Sequence, residues 1–125
     1  IPVAGSGGVR TADDALRLRR ETGCDLVGIA RGCLGRPWIF AEARARHLGQ
    51  AAPEAPDRER RGRLLLDLVA AELRFYGPQL GGRRIARTAC SFALDLPTYA
   101  DFRRDVQACH DLPRLKAVVQ QHFRP

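Results

Sequence analysis

Two glycine-rich segments near the start of the chain carry groups that could bind a phosphate. Gly7 and Gly8 follow the apolar run Ile1–Ala4, and glycine lets a ligand approach the backbone N–H groups closely. Arg31 follows a second apolar run, Leu26–Ala30, and its guanidinium can add a charge-assisted, bidentate contact. Ligands of parallel α/β proteins bind at the carboxyl ends of the strands, so we predict that both turns hold one phosphate.

The residues between the two turns predict the helix that positions them. Thr11 is a suitable N-cap, and Asp14 three residues later completes a variant of the capping box. Gly23 is placed to end the helix in a left-handed conformation. A strand, a helix and a strand within thirty residues predict a right-handed βαβ unit with two parallel strands.

The rest of the chain is predicted to be helical. Pro37 suits the first turn of a helix that carries Trp38, Ile39, Phe40 and Ala43 as packing residues. Two prolines then mark a linker, so we divide the chain into an α/β part (1–49), a linker (50–56) and an all-α part (57–125).

Four helices with short connections predict a small four-helix bundle in the all-α part. The expected N-caps are Asp57, Thr98 and Asp111, and Gly77-Pro78 should break the chain between the first two helices. The first of these helices is predicted to bury Leu64, Leu65, Leu68, Val69 and Leu73.

The composition favours an anionic partner and gives no sign of a metal site or membrane span. The formal net charge is +7, and 20 of the 21 basic residues are arginine, which suggests a polyanionic partner. The four cysteines and three histidines lie at no metal-ligand spacing, and no 18-residue apolar run is present. A chain without methionine that opens on a strand is interpreted as a piece of a longer protein.

A group of arginines in the predicted helices could contact nucleic acid. From Leu73 to Leu94 the sequence contains no acidic residue, whereas Arg83, Arg84 and Arg87 are all basic. Arg83 and Arg87 are four residues apart and share one helix face. Arginine faces of this kind bind RNA phosphates, although a solvated surface patch has the same pattern.

Several segments of the chain resemble the tRNA-dihydrouridine synthase family, whose members are flavoenzymes with an FMN-binding TIM barrel and a C-terminal helical domain. The resemblance rests on Ile1–Val9, Thr22–Asp25, Ile29–Gly32 and Leu34–Phe40, and more loosely on Arg84–Arg87, Leu96-Pro97 and Phe102-Arg103. It implies that the chain is the C-terminal part of a (β/α)₈ TIM barrel plus a helical tRNA-binding domain, with the N-terminal barrel strands missing.

The same resemblance implies a cofactor, a substrate and the residues that bind them. FMN would be held through its phosphate by Ser6, Gly7, Gly8, Ala30 and Arg31. NADPH would be the reductant, and tRNA would contact Arg83, Arg84 and Arg87. The family's catalytic cysteine belongs to an earlier barrel loop, so the resemblance implies no catalytic residue in this chain and no activity of the chain alone.

The chain also departs from the family pattern. The family often has Asn-Gly-Asp where this chain has Ser6-Gly7-Gly8, so the contacts there should come mainly from backbone N–H groups. It often has glycine in place of Ala30, and it commonly has Lys-His where Thr88 follows Arg87. A cytoplasmic enzyme is expected; the alternatives are another flavin- or phosphate-binding TIM-barrel enzyme and a non-catalytic RNA-binding module.

Overall fold

The computed structural model describes residues 1–124 of the chain. These residues form two compact units, of which the first spans Ile1–Ala55 and the second begins at Pro56. The chain between the last helix of the first unit and the first helix of the second has no regular secondary structure. Each unit has its own set of packed elements and is described separately.

The first unit is a two-stranded parallel sheet with helices. Its elements are β1 (Ala4–Ser6), α1 (Ala12–Thr22), β2 (Leu26–Gly28), a 3₁₀-helix (Arg31–Cys33) and α2 (Ile39–His47). The strands pair in parallel, with Ala4 opposite Leu26 and Ser6 opposite Gly28. The predicted α/β class and the parallel pair are therefore confirmed, and this arrangement is consistent with part of a TIM barrel.

The first strand lies later in the chain than predicted, and it is not buried. The prediction placed the strand at Ile1–Ala4, but regular pairing begins only at Ala4. Val3 instead donates its N–H to Asp25 Oδ2 at 2.8 Å, and its carbonyl accepts from the N–H groups of Asp25 and Leu26. Val3 and Leu26 are exposed, and each strand has one neighbouring strand among residues 1–124.

Both predicted ends of α1 are confirmed. The Thr11 hydroxyl accepts from the N–H of Asp14 at 3.1 Å, and Asp14 Oδ2 accepts from the N–H of Thr11 at 2.9 Å. This reciprocal capping box satisfies two backbone donors at the start of the helix. At the other end Gly23 adopts φ 69°, and its N–H donates to the carbonyl of Arg19, so glycine supplies the left-handed cap.

The packing of α2 agrees only partly with the prediction. Ile39 is completely buried, whereas Phe40 is 51% exposed, so its assignment as a packing residue was wrong for this unit. The two residues are adjacent and therefore point about 100° apart around the helix, and in this unit only Ile39 lies on the buried face. An ion pair between Asp13 and Arg46 and a hydrogen bond between Arg19 and His47 join α2 to α1.

The second unit is built from helices. The structure gives α3 (Arg58–Phe92), α4 (Tyr99–Gln107) and α5 (Leu112–His122). Within α3, Gly77 has the non-helical values φ 77° and ψ 167°, and Pro78 follows it. The predicted break is therefore at the right place, but it is a kink inside one element, and the predicted four-helix bundle is not confirmed.

The kink brings the second half of α3 back against the first half. A Cβ atom added to Gly81 would lie 2.9 Å from Leu73 Cα, so the two halves touch at a position that only glycine fits. The Thr88 hydroxyl donates to Glu72 Oε2 at 3.0 Å. Residues sixteen apart can form this bond because the chain reverses direction at Gly77.

The core of the second unit lies where the two halves of α3 meet α4 and α5. Its fully buried large side chains are Leu65, Val69, Ile85, Phe92, Phe102, Val106 and Leu115. Leu68 was predicted to join them but is 42% exposed. Its direct neighbour Val69 is buried, and the two side chains point about 100° apart around the helix.

Two of the three predicted caps in this unit are confirmed. The Asp57 carboxylate accepts from the N–H of Arg60 at 2.7 Å, and the Asp111 carboxylate accepts from the N–H of Arg114 at 2.8 Å. Thr98 occupies the N-cap position of α4, but its side chain makes no capping bond. Its hydroxyl is instead hydrogen-bonded to His122 Nδ1 at 3.1 Å, so a contact with α5 replaces the predicted local one.

Candidate functional site: a glycine cradle

The first unit contains a cavity at the carboxyl ends of its two strands. Its volume is about 400 Å³, which is within the usual range for small-molecule sites. The lining residues, which we call the glycine cradle, are Ser6, Gly7, Gly8, Val9, Arg10, Gly28, Ala30, Arg31 and Gly32. All five residues predicted to hold a cofactor phosphate belong to this lining.

Close backbone packing holds the two turns of the glycine cradle together. The Ser6 hydroxyl donates to the carbonyl of Gly28 at 3.3 Å, which links the ends of β1 and β2. A Cβ atom added to Gly32 would overlap the carbonyl oxygen of Val9 and lie 3.0 Å from Arg10 Cα. The two turns therefore touch through backbone atoms, and glycine at position 32 permits that approach.

The first turn leaves its backbone accessible. Gly7 and Gly8 have φ values of 138° and 67°, which residues other than glycine rarely adopt. Apart from the adjoining residues of the chain, no atom of residues 1–124 lies within 4 Å of the position of a Cβ at Gly7 or Gly8. Their N–H groups take part in none of the turn, loop or cap hydrogen bonds of residues 1–124, so both remain available to an anion.

Two arginines give the glycine cradle its positive charge. Arg31 was predicted from the sequence as a phosphate ligand, whereas Arg10, which lines the same cavity, was not. The only signal in the sequence was the position of Arg10 directly before the N-cap Thr11. The backbone N–H of Arg10 donates to Asp14 Oδ2 at 3.1 Å. This bond has the largest effect on the pKa of Asp14, which it holds below its ordinary value. The hydrogen bonds from the Thr11 hydroxyl and N–H lower that pKa further.

The fold of the second unit places Arg84 apart from Arg83 and Arg87, with which the sequence grouped it. Arg83 and Arg87 line a groove of about 510 Å³ together with Arg103. Arg84 is not part of this lining: its guanidinium lies 3.7 Å from Glu72 Oε1 and stands over the Tyr76 ring, 4.7 Å from the ring centroid. The full lining, which we call the α3–α4 groove, is Arg83, Ala86, Arg87, Cys90, Tyr99, Arg103 and Gln107.

Comparison with known proteins then decides the family. The family model described as dihydrouridine synthase matches residues 1–124. The chain belongs to the dihydrouridine synthase family. Among curated relatives, a protein of Mycobacterium leprae named "Probable tRNA-dihydrouridine synthase" is 34% identical over 128 residues, which cover 97% of this chain and 32% of the relative. Xanthomonas axonopodis tRNA-dihydrouridine synthase B is 38% identical over 125 residues, which cover 98% of this chain and 37% of the relative.

The resemblance seen in the sequence is thus confirmed over nearly the whole chain. A further relative, from Mycobacterium tuberculosis, is 55% identical over 56 residues, or 45% of this chain. The chain spans about one third of the length of the M. leprae and Xanthomonas relatives.

The four cysteines of the chain occupy different surroundings. Cys24 and Cys109 are buried, and Cys33 and Cys90 are partly buried. The Cys33 thiol donates to the carbonyl of Ala30 at 3.0 Å, and Cys33 is not in the lining of the glycine cradle. Burial raises the pKa of the Cys90 and Cys109 thiols, which disfavours the reactive thiolate.

Residues 1–124 include no group of three or more histidine, cysteine or acidic side chains arranged to hold a metal ion. Within the same range, no helix combines the length and the apolar character that a membrane crossing requires.

Proposed function

We propose that this chain is the C-terminal part of an FMN-dependent tRNA-dihydrouridine synthase, which reduces uridine in tRNA to 5,6-dihydrouridine with NADPH. Family membership supports the reaction class, and the relatives in M. leprae and Xanthomonas carry tRNA-dihydrouridine synthase names. A tRNA substrate favours a cytoplasmic enzyme. The proposed division is a barrel part (1–49), a linker (50–56) and a helical tRNA-binding domain (57–125) in which the two halves of α3 count as separate helices of a four-helix bundle.

The observation that carries the cofactor proposal is the composition of the glycine cradle. One cavity gathers two glycine turns and two arginines, which together offer backbone N–H donors and fixed positive charge. Gly7 and Gly8 leave open space where other residues would place a Cβ. These are the features that phosphate groups bind, so the site fits the phosphate end of FMN.

In this proposal the chain binds and orients the cofactor but does not complete the reaction. Bound FMN, reduced by NADPH, would supply the hydride for the uracil ring. Gly7, Gly8, Arg10 and Arg31 would hold its phosphate, with Ser6 and Ala30 shaping the wall. The residues around the flavin ring and the catalytic cysteine are assigned to the part of the enzyme outside this chain.

The proposal is tested with the full-length protein, unmodified tRNA transcribed in vitro, and NADPH. Dihydrouridine formed in the tRNA is measured by mass spectrometry after digestion to nucleosides, and bound flavin is measured by absorbance. We expect FMN to copurify and dihydrouridine to form only when NADPH is present. A flavin-loaded enzyme that oxidises NADPH but leaves tRNA unmodified would contradict the proposed reaction.

A further inference from the structure

We propose that Asp14 is a positioning residue of the glycine cradle, whose carboxylate holds the turn after β1 in the shape that binds the phosphate of FMN. This turn, residues 7–10, is called the cradle turn. Asp14 is outside the cavity lining, so it acts through the backbone and touches no cofactor. The inference rests on the proposed function and deepens it, because it assigns a part in cofactor affinity to a side chain outside the site.

The first argument is that one oxygen of Asp14 accepts from two consecutive backbone donors. Asp14 Oδ2 lies 2.9 Å from the N atom of Thr11 and 3.1 Å from the N atom of Arg10. The bond with Thr11 is the usual one of a capping box, in which the side chain at the third helical position accepts from the N-cap N–H. The bond with Arg10 lies one residue earlier, so the carboxylate joins α1 to the cradle turn.

The second argument is that the cradle turn is held mainly at its ends. Gly7 and Gly8 have positive φ values, and their N–H groups take part in none of the turn, loop or cap hydrogen bonds of residues 1–124. Just before the turn, the Ser6 hydroxyl donates to the end of β2, and at its other end Asp14 accepts from the N–H of Arg10. Glycine loses much conformational freedom when it is ordered, so fixed ends reduce the entropy that phosphate binding costs.

The third argument concerns the place of Arg10 in the site. Arg10 lines the cavity, and the residue before it, Val9, is buried. A Cβ atom added to Gly32 would lie 3.0 Å from Arg10 Cα, so the backbone of Arg10 contacts the second turn while its N–H is bonded to α1. A shift of Arg10 would therefore move a positive charge and disturb the contact between the two turns at the same time.

The charge of Asp14 separates positioning from electrostatics. A carboxylate close to a bound phosphate repels it, so loss of the charge alone should strengthen FMN binding. Asp14 Oδ1 accepts from Arg17 at 2.9 Å, which offsets part of that charge. Loss of the positioning bonds should instead weaken FMN binding. The two effects have opposite signs, so the direction of the change distinguishes them.

The decisive comparison is between two neighbouring aspartates of α1. Asp14→Ala and Asp13→Ala remove the same charge from the first turn of the helix, but the Asp13 carboxylate accepts from Arg46 of α2. The full-length apoprotein is titrated with FMN and with riboflavin, which lacks the phosphate, and flavin fluorescence is measured. We expect Asp14→Ala to weaken FMN binding by about fivefold or more, the worth of a backbone hydrogen bond, and to leave riboflavin binding unchanged.

Asp13→Ala should change FMN affinity by less than about twofold, since exposed charges are screened by salt. Asp14→Asn keeps an oxygen that can accept a hydrogen bond, so it should recover part of the affinity that Asp14→Ala loses. Tighter FMN binding by Asp14→Ala, or equal effects of the two alanine variants, would overturn the proposal. Equal weakening of FMN and riboflavin would overturn it too, because general destabilisation would then explain the loss.

A second measurement uses the wild-type protein and does not depend on the folding of any variant. Amide hydrogen exchange of the full-length apoprotein is followed by fragmentation mass spectrometry and corrected for intrinsic rates. The N–H groups of Arg10 and Thr11 should exchange about tenfold or more slowly than those of Gly7 and Gly8, because Asp14 holds them before FMN is bound. Equal exchange at all four residues would overturn the proposal.

The wild-type titrations separate this inference from the proposed function. A wild-type protein that binds FMN and riboflavin equally refutes the proposed phosphate site, and the role of Asp14 fails with it. A wild-type protein that prefers FMN, with the same preference in Asp14→Ala, refutes the role of Asp14 alone.

Discussion

The glycine cradle and the α3–α4 groove both offer positive charge to an anion, but they are constructed differently. In the glycine cradle, Gly7 and Gly8 leave their backbone open to the cavity, Gly32 lets the two turns touch, and two arginines add charge. In the groove, side chains of two helices supply nearly all of the polar groups. The first site depends on backbone geometry and the second on charge.

This difference explains why the five residues predicted for the cradle all line one cavity, whereas Arg84 lies outside the groove that Arg83 and Arg87 line. The cradle consists of turns that directly follow strands, so local pattern and the rule for parallel sheets locate it. The groove depends on how α3 folds back at Gly77 and which helix then lies beside it. Two sites of different construction should also respond differently to substitution, to salt and to pH.

The largest expected effect is the loss of flavin from Gly32→Ala. The new Cβ would overlap the carbonyl of Val9 and press on Arg10 Cα, so the two turns of the cradle must separate. We expect the full-length variant to retain less than about one hundredth of the wild-type FMN affinity, because misplaced donors lose several charge-assisted bonds at once. Fluorescence titration of the apoprotein with FMN measures this.

Gly49→Ala is the matched control for this substitution. Gly49 adopts φ +65° with no atom near the Cβ position, so alanine there strains the backbone without touching the cradle. It should lower stability and leave the affinity for FMN unchanged. Equal flavin loss in both variants would show that general destabilisation explains the result, and the close contact at Gly32 would lose its proposed role.

The next largest effect is on tRNA affinity, where a double variant of Arg83 and Arg87 is compared with a variant of Arg84. Replacing both Arg83 and Arg87 by alanine should weaken tRNA affinity by about tenfold or more and lower the salt slope by about 2. Arg84→Ala removes a side chain that is already engaged by Glu72 and Tyr76, so its effect should be less than about threefold. A loss at Arg84 as large as that of the double variant would support the grouping of all three arginines predicted from the sequence.

The smallest expected effect is on the helix that supports the cradle. Thr11→Ala removes one half of the capping box of α1 and should lower the free energy of unfolding by about 1 kcal/mol. Thermal denaturation of the full-length protein measures this change. Thr98→Ala offers a comparison, since its hydroxyl bonds to His122 and not to the helix start.

The capping box also makes a prediction for pH. The pKa of Asp14 is lower in the folded protein than its ordinary value of 3.8, so its stabilisation is present above that value. It is lost as the pH falls through the folded pKa. The melting temperature of the wild type should therefore exceed that of Asp14→Asn at neutral pH, and the difference should shrink below pH 3.8. A difference independent of pH would contradict this role of the Asp14 carboxylate.

Particular residues show what the sequence could and could not predict. The caps at Thr11, Gly23, Asp57 and Asp111 and the break at Gly77 depend on a few adjacent residues, and all are found where expected. Such features are local, so the conformational preferences and the hydrogen-bonding groups of a few residues decide where they form.

The failures share one physical cause, which is that tertiary contacts outweigh local preference. Thr98 gives its hydroxyl to His122 and leaves its helix uncapped. Phe40 and Leu68 are exposed because an adjacent residue takes the buried face. None of these outcomes can be obtained without knowing which helices touch.

The central claim is that the glycine cradle holds the phosphate of FMN, and a comparison of two flavins tests it most directly. Calorimetric titration of the full-length apoprotein is carried out with FMN and with riboflavin, which lacks the phosphate, for the wild type, Arg31→Ala and Arg31→Lys. We predict that Arg31→Ala weakens FMN binding by about tenfold or more, the worth of a charge-assisted contact. Arg31→Lys should recover part of that affinity, and riboflavin should bind all three proteins equally. Equal weakening of both flavins, or of neither, would contradict the claim.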